Sequence, residues 1–220
     1  MLPPLASGDE SVPSQLDHIL LGCSDLQHGI EFVQQQIGAR AKFGGVHPGR
    51  GTQNALLSLG ERRYLEIIAP DPAQPDSTAA LAQRLKKLPE PRLVGWAAHP
   101  GSLGSLAKKL RESGVAFDGP TPGSRKRPDG RELHWQTLTL HDDAGGLLPF
   151  FIEWSADSLH PSVDAPSGCQ LLRFEAVSPD PRKLASRFSA MGLDIPIAEG
   201  RIDQLRATLA GSKGQLTIST

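Results

Sequence analysis

The stretch LDHILLGCSDLQHGIEFVQQQIGARAKF, Leu16 to Phe43, decides the fold, because the chain repeats its pattern twice more. It opens with an apolar run that reads as a strand. Ser24 and Asp25 come next, and either can accept from the free N–H groups at a helix start. Ile30, Phe32, Val33 and Ile37 then recur at helical spacing. Gly38 stands where the left-handed turn after a helix suits glycine. The same order returns in LVGWAAHPGSLGSLAKKLRESGVAF from Leu93 and in LLRFEAVSPDPRKLASRFSAMGLDIPI from Leu171. The caps there are Ser102, and Ser178 or Asp180. The apolar helix positions are Leu103, Leu106 and Leu110, then Leu184, Phe188 and Met191. The closing glycines Gly38, Gly114 and Gly192 lie 76 and 78 residues apart, and three matches in one order mark an internal repeat.

Strands after each helix complete the unit. The first helix leads into AKFGG, a Gly/Pro-rich loop, TQNALLSLG and RYLEIIAP, which read as three strands and give βαβββ. The second copy has GVAFDGP, ELHWQTLTLHD and LLPFFIEWS; the third is shorter, with LDIPIAEG, QLRATLAG and KGQLTIST. The expectation is an α+β chain with helices on one face of a mixed sheet. Its divisions are a flexible tail at 1–15, a first module and linker at 16–90, a second module at 91–165 and a third, partial module at 166–220. The third copy would cover an open sheet edge or form the surface of a homodimer.

Bulk properties narrow the function. Lys plus Arg is 23 and Asp plus Glu is 24, so the basic excess of a nucleic-acid or membrane-surface binder is absent. The most basic cluster, GSRKRPDGR from Gly123 to Arg131, reads as a solvated loop or an anion-steering rim. The two cysteines, Cys23 and Cys169, form neither a zinc-type pair nor a disulfide framework, which suits a reducing cytoplasm. The N-terminal residues lack a signal-peptide pattern, and no apolar run reaches membrane-spanning length.

Two strands carry an unexpected charge. YLEIIAP, Tyr64 to Pro70, and FFIEWSA, Phe150 to Ala156, each hold a glutamate near the middle. Burying a carboxylate without a partner is costly enough that the group takes up a proton instead. Strand alternation puts Tyr64, Glu66 and Ile68 on one side and Phe151, Glu153 and Ser155 on one side. His18 shares a side with Leu16 and Leu20. If helices cover the other face, Glu66, Glu153 and His18 converge on one cleft, where a cation relieves their repulsion. The bland alternative pairs the glutamates with Arg62, Arg63 or Arg92 and leaves His18 as a core residue.

The segments LDHILLGCSDL, YLEIIAPDP and PFFIEWSADSLHPS, with HPGRGTQNALL between them, resemble the glyoxalase-like members of the vicinal oxygen chelate superfamily. The resemblance implies paired βαβββ modules in a cupped sheet, with a divalent metal inside bound from the first and last strands of each module. Carried over, the ligands are His18, Glu66 and Glu153, and the metal is nickel, zinc, manganese or iron. The fourth family position falls on Gly95, which has no side chain to ligate. His47 would be a fourth ligand, a base or a solvent-facing residue; Gln53 and Asn54 would hydrogen-bond a substrate oxygen. Trp96 would fill the vacancy at Gly95, and Trp135 would stack on substrate. The implied activity is lyase, isomerase or related chemistry on a small oxygenated molecule, with Glu66, Glu153 or His47 carrying the proton. The alternative is a non-catalytic small-molecule-binding or resistance-type protein that has lost full ligation.

Overall fold

The computed structural model describes residues 12–127 and 129–220. Of the expected tail, residues 1–11 lie outside the described residues. From Val12 the chain is held: Val12 packs on the core, and the Ser14 N–H donates to the Asp194 carboxylate at 3.1 Å.

The first unit is β1 (Leu16–Gly22), α1 (Leu26–Ile37), β2 (Lys42–His47), β3 (Thr52–Ser58) and β4 (Tyr64–Pro70). A short helix, α2 (Ala80–Leu85), precedes the second unit: β5 (Arg92–Ala98), α3 (Leu103–Glu112), β6 (Phe117–Lys126), β7 (Glu132–Leu140) and β8 (Phe150–Trp154). The third is β9 (Cys169–Ser178), α4 (Pro181–Met191), β10 (Ile197–Glu199), β11 (Gln204–Gly211) and β12 (Gly214–Ser219). Side-chain caps start the three repeat helices: Asp25 accepts from the His28 N–H at 2.8 Å, Ser102 from Ser105 at 3.3 Å and Asp180 from Lys183 at 3.1 Å. Gly38 and Gly192 close α1 and α4 in the left-handed conformation, with φ of 81° and 76°.

The first two units share one eight-stranded sheet in the order β2-β3-β4-β1-β5-β8-β7-β6. Within each unit the first and last strands run parallel, β1 with β4 and β5 with β8, and β1 joins β5 antiparallel at the centre. The sheet curls until its edges approach, so that a Cβ on Gly45 of β2 would stand 3.2 Å from the Lys126 carbonyl oxygen of β6. The mixed α+β class and the curled sheet of βαβββ modules are therefore as the sequence predicts.

The third unit has the same element order but different wiring. Its four-stranded sheet runs β10-β9-β11-β12, with β12 paired to β11 and away from β9. It covers the helix side of the large sheet and does not pair with an edge strand. Phe174 meets Trp96 edge-on at 5.2 Å, and Leu205, Leu209, Leu216 and Ile218 join one apolar core with Leu16, Ile19, Leu21, Val33 and Ile37. Burial of apolar area on that face, at roughly 25 cal/mol per Å2, holds the three units together.

The concave face is smaller and more polar. Leu20, Ile68 and Leu85 form a second cluster there, flanked by Leu81, Leu88, Val94 and Phe150. This apolar plug from α2, an element the sequence reading treats as linker, fills one end of the cup. Among the described residues no helix is long and apolar enough to cross a membrane.

Two expected placements are overturned here. In β8, Phe151 joins the outer core while Phe150 and Trp154 face the cup. Glu153, two residues from Phe151, therefore faces the helix side, where it is exposed and accepts from the Leu103 N–H at the start of α3 at 2.6 Å. The reason is that Phe150, Phe151 and Ile152 are all apolar, so alternation alone does not fix the phase, and the core takes Phe151. Trp96 likewise is fully buried on the outer side, its indole N–H bonded to the Leu147 carbonyl at 2.9 Å. It does not fill the space at Gly95, where an added Cβ would meet no atom within 4 Å.

Candidate functional site

His18, Tyr64 and Glu66 face the cup as expected, because β1 and β4 are adjacent and parallel with Leu20 opposite Glu66. All three are buried. The His18 ring stacks on Tyr64 at 4.4 Å. His18 Nε2 stands 3.5 Å from Glu66 Oε2, and His47 Nε2 stands 3.7 Å from Glu66 Oε1. Both separations exceed an ordinary N–H···O hydrogen bond.

Asp17 is the decisive residue, and strict strand alternation would put it on the side opposite His18. Leu16 and His18 pair with the consecutive residues Ala98 and Ala97 of β5, so Asp17 is the extra residue of a β-bulge. The bulge brings its carboxylate beside His18. Asp17 Oδ1 accepts from His18 Nδ1 at 2.6 Å, and Oδ2 accepts from Trp154 Nε1 at 3.1 Å and His160 Nε2 at 3.2 Å. Burial opposes ionisation of Asp17. The hydrogen bonds from His160 and His18, with their charges, outweigh it and hold the carboxyl well below its ordinary value. His160 in SLHPS carries no periodic signal in sequence, yet it is buried and packs edge-on to both Tyr64 and Trp154.

The other wall belongs to Asn54 and Arg125. Asn54 Nδ2 donates to Glu66 Oε1 at 2.6 Å and lies 3.4 Å from His47 Nε2, while Arg125 Nη1 donates to Asn54 Oδ1 at 2.6 Å. Arg125 comes from β6 across the seam and is 4% exposed, so this part of the basic cluster is not a solvated loop. Burial alone would raise the Glu66 pKa. The nearby imidazoles of His47 and His18, the Asn54 bond and Arg125 bring it below the ordinary carboxylate value, so Glu66 is an anion. His47 ends β2, with Nδ1 2.9 Å from Thr52 Oγ1. Burial holds its imidazole below the usual value despite the Glu66 charge. Burial, with Asp17 and Glu66 near, keeps Tyr64 protonated.

The remaining expected residues separate. Gln53 donates to the Pro70 carbonyl at 3.1 Å and alternates away from Asn54. Trp135 stacks obliquely on Trp154 at 5.4 Å, one ring removed from Asp17. Glu153 and Trp96 lie on the opposite face.

The donor chemistry bears on a metal. In the tautomer that gives Nδ1–H to Asp17, the His18 ring turns its Nε2 lone pair toward the Glu66 carboxylate. A lone pair facing an anion is the arrangement that a cation relieves, and a carboxylate that fixes the far nitrogen is a common support for a metal-binding histidine. His18 and Glu66 therefore fit a divalent ion as a pair. Among the described residues no three His, Cys, Asp or Glu side chains are arranged to hold a metal ion, so the expected trio is not assembled.

Comparison with known proteins agrees with this architecture. The family described as glyoxalase-like domain matches residues 16–192. No protein of curated function matches the chain. A hypothetical protein from Staphylococcus aureus is similar over 93% of this chain and 84% of its own, at 17% identity and a TM-score of 0.62. Methylmalonyl-CoA epimerase from Mycobacterium tuberculosis is 24% identical over 70% of this chain and 94% of its own, with a TM-score of 0.48. A Streptomyces coelicolor methylmalonyl-CoA epimerase variant in complex with 2-nitronate-propionyl-CoA is 23% identical over 67% and 99%, at 0.49. With paired βαβββ units in one curled sheet and a family match running from β1 through α4, the chain belongs to the glyoxalase-like domain family.

Proposed function

We propose that the chain is an enzyme acting on a small oxygenated molecule in the cup, where His18 and Glu66 hold a divalent ion and His47 exchanges a proton with substrate. One observation carries the reading: His18 Nε2 is aimed at Glu66 Oε2 from 3.5 Å while Asp17 occupies the other ring nitrogen. A bound ion would supply polarisation of a substrate carbonyl or hydroxyl oxygen. The chain's own groups do the rest. Asp17 keeps the His18 tautomer and ring plane fixed. Asn54 and Arg125 hold the Glu66 carboxylate in one orientation. His47, kept neutral by burial, offers an Nε2 lone pair next to Glu66 as the proton acceptor. Isomerase and lyase chemistry both begin with such a transfer, from carbon next to a carbonyl.

The open space at Gly95 favours a second reading, a small-molecule-binding protein that has lost full ligation. The two readings separate in one experiment. Purified protein is equilibrated with nickel, zinc, manganese or iron(II), dialysed, and its metal content measured in wild type, His18→Ala and Glu66→Gln. We expect close to one ion per chain in wild type and loss in both variants. Absence of uptake, or uptake indifferent to both substitutions, overturns the metal-dependent reading and leaves the binding protein.

A further inference from the structure

Arg125 is a buried cation whose nearest acids, Glu66 and Asp164, act on it only across space. Its one hydrogen bond goes to a neutral acceptor, Asn54 Oδ1, and among the described residues no carboxylate lies within 4 Å of it. A guanidinium has five N–H donors, and burying an unpaired charge is costly. Its neighbours differ. Arg127 reaches Asp164 at 2.7 Å, and Arg131 reaches Asp129 at 2.7 Å and Asp164 at 2.9 Å. Those acids bond directly to those arginines and not to Arg125.

Arg125 lines a hollow at the β2–β6 seam, of about 50 Å3, whose charged walls are Lys42, Arg125 and Arg127 against Asp129 and Asp164, the two acids being ion-paired to Arg127 and Arg131. That volume holds a few water molecules, each needing ~10–15 Å3, or one small charged group. Lys42, exposed and without an ion pair among the described residues, stands at the hollow's rim. Gly44 is what lets the guanidinium lie here, since a Cβ on it would stand 2.6 Å from Arg125 Nη1 and 2.5 Å from Asn54 Oδ1. Beyond Asn54 comes Glu66, so a single amide separates the cation from the proposed reactive carboxylate.

We propose that Arg125 anchors the carboxylate of an organic acid entering at the β2–β6 seam, which makes the substrate class a small oxygenated carboxylate. As a statement about substrate it rests on the reading of Glu66 and His18 as the reactive site; as a statement about binding it stands alone. Planar, bidentate recognition by a guanidinium is the chemistry that fits, with Lys42 adding charge at the mouth.

The test is calorimetric titration of the full chain with pyruvate, acetate and inorganic phosphate as probes, in wild type, Arg125→Lys, Arg125→Gln, Gly44→Ala and Arg131→Gln. Circular dichroism and a cooperative melt establish that each variant is folded. We expect wild type to bind pyruvate and acetate, and affinity to fall roughly thirtyfold or more in Arg125→Gln, the loss typical when one partner of a buried charge pair is removed. Arg125→Lys and Gly44→Ala should fall between, and Arg131→Gln, which frees the Asp129 and Asp164 carboxylates at the hollow's wall, should weaken binding less than Arg125→Gln. Equal affinity in wild type and folded Arg125→Gln overturns the proposal, as does absence of carboxylate binding by wild type, or binding of phosphate alone. If Arg125→Gln does not fold, the comparison of Gly44→Ala with wild type decides in the same way. Repeating the titration in His18→Ala, and in wild type with EDTA, separates the two readings. Carboxylate binding that persists there while metal uptake is lost or absent supports the anchor whatever becomes of the metal reading.

Discussion

Replacing Asp17 with asparagine tests the electrostatic centre of the site. The side chain is fully buried and receives three N–H donors, from His18, Trp154 and His160. Hydrogen bonds to a charged acceptor contribute about 1.5–3 kcal/mol each, and a buried donor left unmet costs about 1–3 kcal/mol. Asparagine keeps one acceptor oxygen but turns an NH2 group toward one or two of the donors. The expected loss is about 3 kcal/mol, which for a chain of this length lowers Tm by about 6–12 °C. Urea unfolding followed by circular dichroism measures it. The pH dependence gives an independent sign. The folded Asp17 pKa is depressed, so its contribution is full above the ordinary carboxylate value, near ~4, and is lost as pH falls below that toward the folded value. The stability gap between wild type and Asp17→Asn should therefore be flat from pH 7 to about 5 and narrow in stronger acid. Equal urea midpoints, or a gap that widens in acid, would refute the assignment of Asp17 as the ionised hub.

Three further outcomes discriminate between faces of the sheet. Glu153→Gln keeps an acceptor for the Leu103 N–H and loses only a charge at the start of α3, so stability should change by less than about 1 kcal/mol; metal uptake should be that of wild type, in contrast to Glu66→Gln. Trp96→Ala, by emptying a fully buried site against Phe174, should cost about 3–5 kcal/mol in urea unfolding, while pyruvate affinity per folded molecule stays unchanged. Burial, with Asp25 near, pushes the Cys23 thiol up to about 12, and burial pushes Cys169 up to about 11. Both should react slowly with an aromatic disulfide reagent at pH 8 in the native state and rapidly in urea, and fast native reaction at either would contradict their placement.

The fold is legible in this sequence because repetition multiplies weak local signals. Strand, cap, amphipathic helix and closing glycine each recur, and the caps Asp25, Ser102 and Asp180 stand where the sequence pattern has them. The wiring of the third unit is not legible in the same way. Its strand signals match those of the other two, but strand pairing is a non-local property, and nothing in β12 distinguishes pairing with β9 from pairing with β11. What settles it is the apolar inner face of β9, β11 and β12, which buries Phe174, Leu205, Leu209 and Leu216 against α1 and the back of the large sheet.

Half of the site is legible for a related reason. Glu66 and His18 lie on strands whose other face is continuously apolar: Leu65 and Ile67 in β4, Ile19 and Leu21 in β1. There one charge among apolar residues fixes the phase. In β8 the apolar residues Phe150, Phe151 and Ile152 occupy both faces, so period-2 reading has two solutions, and the choice that brings Glu153 to the cup also takes Phe151 out of the core. Asp17 fails by a different route, because a bulge suspends alternation at one residue and so hides a polar neighbour of His18 from any periodic rule. The two errors compensate in physical terms. The cup loses the Glu153 carboxylate from β8 and gains Asp17 from β1, which acts on the far nitrogen of His18 and leaves Nε2 free. A ligand count taken from the sequence thus includes one carboxylate too many and misses the group that orients His18, and Asp17→Asn with Glu153→Gln in one metal-uptake series exposes both. Roughly tenfold or greater weakening in the first and none in the second is the pattern this geometry requires.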